Sequence, residues 1–110
     1  MSASLVGSEM CIRDRYINNE AVLEVKGHSG YKEMGEDIVC AAISTACIMT
    51  ANLIDKLGLG YNIKDLICKD GYFKLQVNTQ DKLVVGIMDN MLDTLDSLSK
   101  QYPKHVKFKD

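Results

Sequence analysis

The sequence predicts an α+β fold: a two-layer ββαββα(β) domain with a mainly antiparallel sheet and two helices. Three observations carry that expectation. Short alternating segments flank two turn signals, Asn18-Asn19 and Asp70-Gly71. Two longer segments, one after Asp37 and one after about Asn78, repeat apolar residues at helical spacing. At 110 residues, 46% hydrophobic and 25% charged, the chain suits one core and has no room for a second.

The elements follow in order. The first fifteen residues, "MSASLVGSEMCIRDR", have neither the charge pattern nor the cleavage site of a targeting segment. They read as a translated sequencing adapter of the kind found at the ends of reading frames assembled from environmental DNA. Residues 1–15 are therefore expected to be artefactual or disordered, with residues 1–9 disordered and 16–110 forming the domain. Within "MCIRDRYI", Cys11, Arg13 and Arg15 alternate with Ile12, Asp14 and Tyr16, enough for 10–16 to add a weak strand. A tight "NNE" turn leads to "EAVLEVKG", where Ala21, Leu23 and Val25 share a face and Gly27 ends the strand.

After a loop to Glu36, Asp37 is a suitable N-cap for a helix that Gly58 stops. That helix is apolar on more than one side: Val39, Ile43, Ala46, Leu53 and Leu57 on one, Ile38, Ala41, Ile48 and Met49 on another. A second layer of cover, from a neighbouring helix or a second subunit, is expected. "NIKDLICKDGYFKLQV" is a hairpin about Asp70-Gly71 that sets Cys68 opposite Phe73 and Leu66 opposite Leu75, so Cys68 is expected to fill core. Val84, Met88, Met91, Leu95, Leu98 and Tyr102 then form one helical stripe, with its start near Asn78 or Thr79 and its end at Tyr102-Pro103. Its methionines are packing residues. "HVKFKD" suits a short charged edge strand.

Composition limits the function. A net charge of −2 argues against broad nucleic-acid binding through a basic face, and no direct nucleic-acid partner is expected. The longest uninterrupted apolar runs are too short to cross a bilayer, so no membrane partner is expected. Four cysteines without a signal peptide or a CxxC suggest a reduced, cytoplasmic setting. Cys40 and Cys47 lie two helical turns apart, about 10 Å by helical rise, too far for a bridge. A metal site from His28, Cys40, Cys47 or Cys68 matches no common zinc spacing, so no metal is expected. His105, flanked by lysines nearby, reads as a solvated residue.

The stretch with chemistry is "GHSGYKEMGEDIVCAAIS", Gly27 to Ser44. With Asp37 as cap, Cys40 falls at N3, where unpaired N–H groups and the positive end of the dipole favour a thiolate. The same N–H groups suit an oxyanion. His28 leaves a strand end just before that helix, placed to take the thiol proton and later protonate a leaving amine. Gly27, Gly30 and Gly35 let the loop bend, and Ser29 and Ser44 are secondary candidates. The plainer alternative makes Cys40 a core residue, His28 a surface residue, the glycines turn residues and Asp37 a cap only.

This stretch closely resembles the signature of the bacterial ribosomal-processing cysteine protease family (Prp). The matching residues are Gly27, His28, Gly35, Asp37, Ile38, Val39, Cys40, Ala41, Ala42 and Ser44, and the likeness in length and element order runs from about residue 16 to the end. The resemblance implies Cys40 as nucleophile and His28 as its acid–base partner, with Gly27, Ser29, Gly35, Asp37, Ala41 and Ser44 supporting or binding substrate. It also implies a small cytoplasmic homodimer without metal or organic cofactor. Such a protein removes the N-terminal extension of the bacterial large-subunit ribosomal protein numbered twenty-seven. Family members begin with a short apolar strand, where this chain has the adapter-like segment. Two other classes remain: a non-catalytic ribosome-associated peptide-binding module, and a redox or acyl-transfer thiol protein.

Overall fold

The structure, a computed structural model, describes residues 10–27, 34–69 and 71–109, and the side chains of all of these except 34–38. Among the described residues, five strands form one mixed sheet: β1 (Met10–Ile17), β2 (Glu20–Gly27), β3 (Ile63–Lys69), β4 (Tyr72–Asn78) and β5 (Val106–Phe108). Their spatial order is β3-β4-β2-β1-β5. Pairing is antiparallel except between β1 and β5, which run parallel. Two helices, α1 (Met34–Lys56) and α2 (Lys82–Gln101), complete an α+β domain of ββαββαβ order.

Side-chain alternation explains why one face of this sheet takes the helices. Cross-strand register aligns Ile12 with Val25, Val25 with Phe73, Leu23 with Leu75 and Ala21 with Val77. All of these are buried, together with Val39, Ile43, Cys47 and Ile54 of α1 and Val84, Met88, Met91 and Leu95 of α2. Asn18 and Asn19 both have positive φ, 47° and 67°, the pair of values a two-residue type I′ hairpin needs. Gly71, at φ 80°, supplies the same freedom in the β3–β4 turn.

β1 lies between β2 and β5, inside the sheet, and Ile12 is fully buried. The adapter-like segment thus contributes core from Met10 onward, while residues 1–9 lie outside the described residues. The β1 backbone is anchored at both ends of its pairing with β5. Met10 N–H donates to His105 O at 2.7 Å, and Lys109 N–H donates to Ile12 O at 2.7 Å.

Four expectations need correction. α1 begins at Met34, not after an Asp37 cap. Met34 and Glu36 are good helix formers, and acidic Glu36 and Asp37 still favour the first turn electrostatically. α2 begins at Lys82, because β4 stays paired to Asn78 (opposite Glu20) and the Asp81 carboxylate caps Leu83 N–H at 2.9 Å. Cys68 and Leu66 have the expected partners across the hairpin but are exposed, since β3 is the sheet edge and the helices do not reach over it. His105 is half-buried, and its Nδ1 is enclosed without a hydrogen-bond partner among the described residues.

α1 also divides its apolar residues differently from the expected stripes. Val39, Ile43, Cys47 and Ile54 face the core, whereas Ile48, Met49, Leu53 and Leu57 are exposed. By length and composition its Val39–Lys56 portion is apolar enough to cross a membrane. Uninterrupted apolar runs understate that property, because they stop at each threonine and asparagine. Here the helix serves as the core helix under the sheet.

Replacing Ile12 by Ala removes a fully buried side chain from an inner strand. The expected loss is about 3 kcal/mol of unfolding free energy, read by urea denaturation. A loss below about 0.5 kcal/mol would show that β1 is not part of the core.

Candidate active site

Three elements bring their ends together at one end of the sheet. β1 starts there with Met10, β2 ends there with Gly27, and register sets these two residues opposite each other. Gly27 has no Cβ for a packing reason: one built there would collide with the Met10 thioether. The Gly27 N–H donates to Gly71 O at 3.0 Å, and a Cβ on Gly71 would lie 3.1 Å from Gly27 O. The β3–β4 turn and the β2 terminus therefore touch backbone to backbone, and the positive φ of Gly71 is what favours glycine there.

α1 supplies the third component. Cys40 is half-buried, and its thiol donates to Met10 Sδ at 3.7 Å. Neighbouring Ala41 and Ser44 are exposed, so this turn of the helix opens to solvent. None of the four cysteines is in a disulfide. Cys47, one face of two turns further along, sits in the core, and desolvation pushes its thiol up to about 12. A thiol held protonated in this way is a poor nucleophile. Cys40 is the half-exposed thiol of that helix.

The earlier helix start changes the chemistry of Cys40. It is the seventh helical residue, so the unpaired N–H groups belong to the turn before it. The dipole acts mainly within that first turn, so less thiolate stabilisation falls on Cys40 than an N3 position implies. Helical side chains lean toward the N-terminus, however, and this carries the thiol back toward those N–H groups.

Gly27, Cys40, Ala41 and Ser44 are thus assembled at or near one sheet end. Gly35 and Asp37 lie in the first turn of α1 by backbone position. His28 and Ser29 lie outside the described residues. Met10 escaped the sequence reading because it sits in the adapter-like segment. Its shared parity with Ile12 was the available signal. Among the described residues, no group of three His, Cys, Asp or Glu side chains could hold a metal.

On the opposite face, at the same sheet end, Tyr72 donates its hydroxyl to Glu24 Oε2 at 2.6 Å. That bond holds the Glu24 carboxyl below its ordinary value, with help from Lys26, Arg15 and Lys74 against the opposing effect of burial. It also pushes the Tyr72 phenol up to about 12.

The sheet-and-helix frame, with its half-exposed thiol beside a strand end, defines a class of small α+β cysteine proteases. The sequence model of the family described as cysteine protease Prp matches residues 11–107, and the chain belongs to that family. Solved structures share the fold. The essential ribosomal processing protease Prp from S. aureus in complex with a substrate peptide superposes with a TM-score of 0.76 at 22% identity, over 91% of this chain and 97% of that one. The same S. aureus protease with a covalently linked product peptide gives 0.72 at 24% identity, over 91% and 97%. SMU.848 from Streptococcus mutans gives 0.73 at 24% identity, over 99% and 97%. Among curated proteins, none matches the sequence.

Two outcomes are expected. Gly27→Ala should cost about 1 kcal/mol by turning the flexible Met10 thioether aside. In a Met10→Ala background, itself destabilised by loss of a buried side chain, the same glycine substitution should cost nothing further, and a double-mutant cycle by urea denaturation reads the coupling. Additive effects would break the proposed contact. Tyr72→Phe should lose about 1 kcal/mol at neutral pH. Because Glu24 is depressed in the folded state, this contribution is present above its unfolded value of 4.5 and is lost as pH falls through its lower folded value. The gap between wild type and variant should close in acid, and a gap unchanged at pH 3 would contradict the assignment.

Proposed function

We propose that this chain is the cytoplasmic cysteine endopeptidase that removes the N-terminal extension of the bacterial large-subunit ribosomal protein numbered twenty-seven. The observation that carries this reading is the half-exposed Cys40 thiol beside Met10 and Gly27, where the chain leaves β2 for His28. The S. aureus relatives, solved with a substrate peptide and with a covalently linked product peptide, support a peptide as the ligand.

In the proposed reaction His28 takes the Cys40 proton, and the thiolate attacks the scissile carbonyl of an extended peptide. N–H groups of the first α1 turn receive the developing oxyanion. The His28 imidazolium gives its proton to the leaving amine as the C–N bond breaks, leaving a thioester. Water, deprotonated by His28, attacks that thioester, and the proton returns to the Cys40 sulfur. With Cys40 beyond the strongest part of the dipole, His28 carries most of the activation. Asp37, Ser29, Gly35 and Ser44 are assigned to the helix start, the loop and the substrate path. The exposed Ile48, Met49, Leu53 and Leu57 on α1 support a homodimer.

The test is mass spectrometry of a synthetic peptide spanning that extension, under reducing conditions. Wild type should make one cut, and Cys40→Ser and His28→Ala should each lower turnover by more than about 1,000-fold. Full turnover by Cys40→Ser would end the protease reading, and tight binding without any cut by wild type would favour a binding module. Native mass of the same sample reads the assembly, where a species at the single-chain 12.2 kDa would refute the dimer.

A further inference from the structure

Basic residues collect on one face of the sheet. Alternation places Arg13, Arg15, Lys26, Lys69, Lys74 and Lys107 on the helix-free face of the sheet. The described carboxylates on that face are Glu20, Glu24 and Asp65, and each has a partner. Glu20 accepts from Gln76 Nε2 at 2.6 Å, Glu24 binds Tyr72 and Arg15, and Asp65 pairs with Lys74 at 3.1 Å. The helix layer is mixed by comparison, with exposed Asp55, Asp89, Asp93 and Asp96 standing beside exposed Lys56, Lys82 and Lys100, and Lys100 pairing with Asp96 at 3.0 Å.

A groove of about 490 Å³ lies on the basic face, with Arg13, Lys26 and Lys109 among its lining, along with Glu24 and Tyr72. Arg13, Lys26 and Lys109 are exposed and form no salt bridge with a described residue. Lys26 lies 5.8 Å from the Tyr72 ring centroid, so it is held over the groove floor. The three cations sit on or just beyond β1, β2 and β5, which are adjacent strands. Register sets Lys26 opposite Cys11, while Lys109 follows Phe108 to the level of Arg13, so at the usual spacing the three lie on a diagonal about 12 Å long. A row of that kind suits a chain bearing repeated negative charges better than a single ion, and a guanidinium in it suits phosphate oxygens.

We propose that this face binds single-stranded RNA, whose phosphates lie across Arg13, Lys26 and Lys109. The choice of RNA among polyanions rests on the ribosomal reading above. The contact itself rests on charge and shape and is independent of Cys40. The whole-chain charge of −2 argues against a broad basic face and leaves room for a local patch of this kind.

The experiment is fluorescence anisotropy of a labelled 12-nucleotide oligouridylate with the full chain, between 50 and 200 mM salt. No cleavage is read, so a protease that fails to bind RNA and an RNA binder that fails to cut are separately visible. Three phosphate contacts predict a log–log salt slope of about −2, an affinity loss of about 20-fold across that range. The triple variant R13E/K26E/K109E should bind more than about tenfold more weakly. K64E/K82E/K100E, with the same change in net charge away from the groove, should stay within about threefold. If the first triple fails to fold by circular dichroism, R13Q/K26Q/K109Q replaces it, with the same expected loss. No binding at about 100 μM protein in 50 mM salt, or equal weakening by the control triple, overturns the proposal. Displacement by polyglutamate or by uridine monophosphate at matched charge concentration also overturns RNA as the occupant.

Discussion

The crowding of Met10, Gly27 and Cys40 is the constraint on which the rest of this structure depends. Sheet register forces Met10 against Gly27, and helix packing forces Cys40 against Met10. Neither contact is local in sequence. The thiol is therefore placed by the core: Ile12 next to Met10 on β1, Val25 next to Gly27 on β2, and Val39 and Ile43 around Cys40 are all buried. A shift of one residue in the β1–β2 register would turn Met10 to the other face and leave both the thiol and Gly27 without their neighbour. A reactive group held in this way owes its position to rigid elements on every side.

Most of the frame was legible because periodicity and turn chemistry are local properties. Asn18-Asn19 and Asp70-Gly71 announce their hairpins, and the α2 stripe from Val84 to Leu95 is buried as its spacing requires. Departures arise where tertiary context decides. No sequence rule says that β3 is an edge, so Cys68 and Leu66 read as core although they are exposed. The start of α1 was misplaced because Asp37 is a good cap in isolation, while Met34–Glu36 is equally willing to be helical. The candidate thiol, Cys40, was visible through its motif. The role of Met10 was not, since it depends on a strand pairing that the odd character of the first fifteen residues hid.

The position of Cys40 bears on how such a thiol is activated. A cysteine in the first helical turn receives electrostatic help from unpaired N–H groups directly. One turn deeper, that help passes mainly to whatever anion occupies the helix mouth. This arrangement favours division of labour. The helix start suits a developing oxyanion, and in the proposed reaction proton transfer is assigned to His28. The core thiol Cys47, lifted to about 12 by burial on the same helix, shows how strongly the protein interior disfavours a thiolate once solvent is lost.

Net charge is an average, and a two-layer fold divides it. Because side chains alternate along a strand, cations spaced two apart, as Arg13 and Arg15 are, must share a face. The opposite parity in β1 is spent on Met10 and Ile12, which enter the core. The same alternation that builds the hydrophobic layer thus collects basic residues on the other side, while helical periodicity directs Asp89, Asp93 and Asp96 to solvent on the far layer. The result is an oriented molecule. A polyanion bound to the proposed surface would meet the basic sheet face, with the mixed charges of the helix layer turned away from it. The groove on that face and the Cys40 thiol lie at the same end of the sheet on opposite sides of Gly27. A nucleic-acid surface there would hold the helix side, with the thiol, outward toward a peptide emerging beside it.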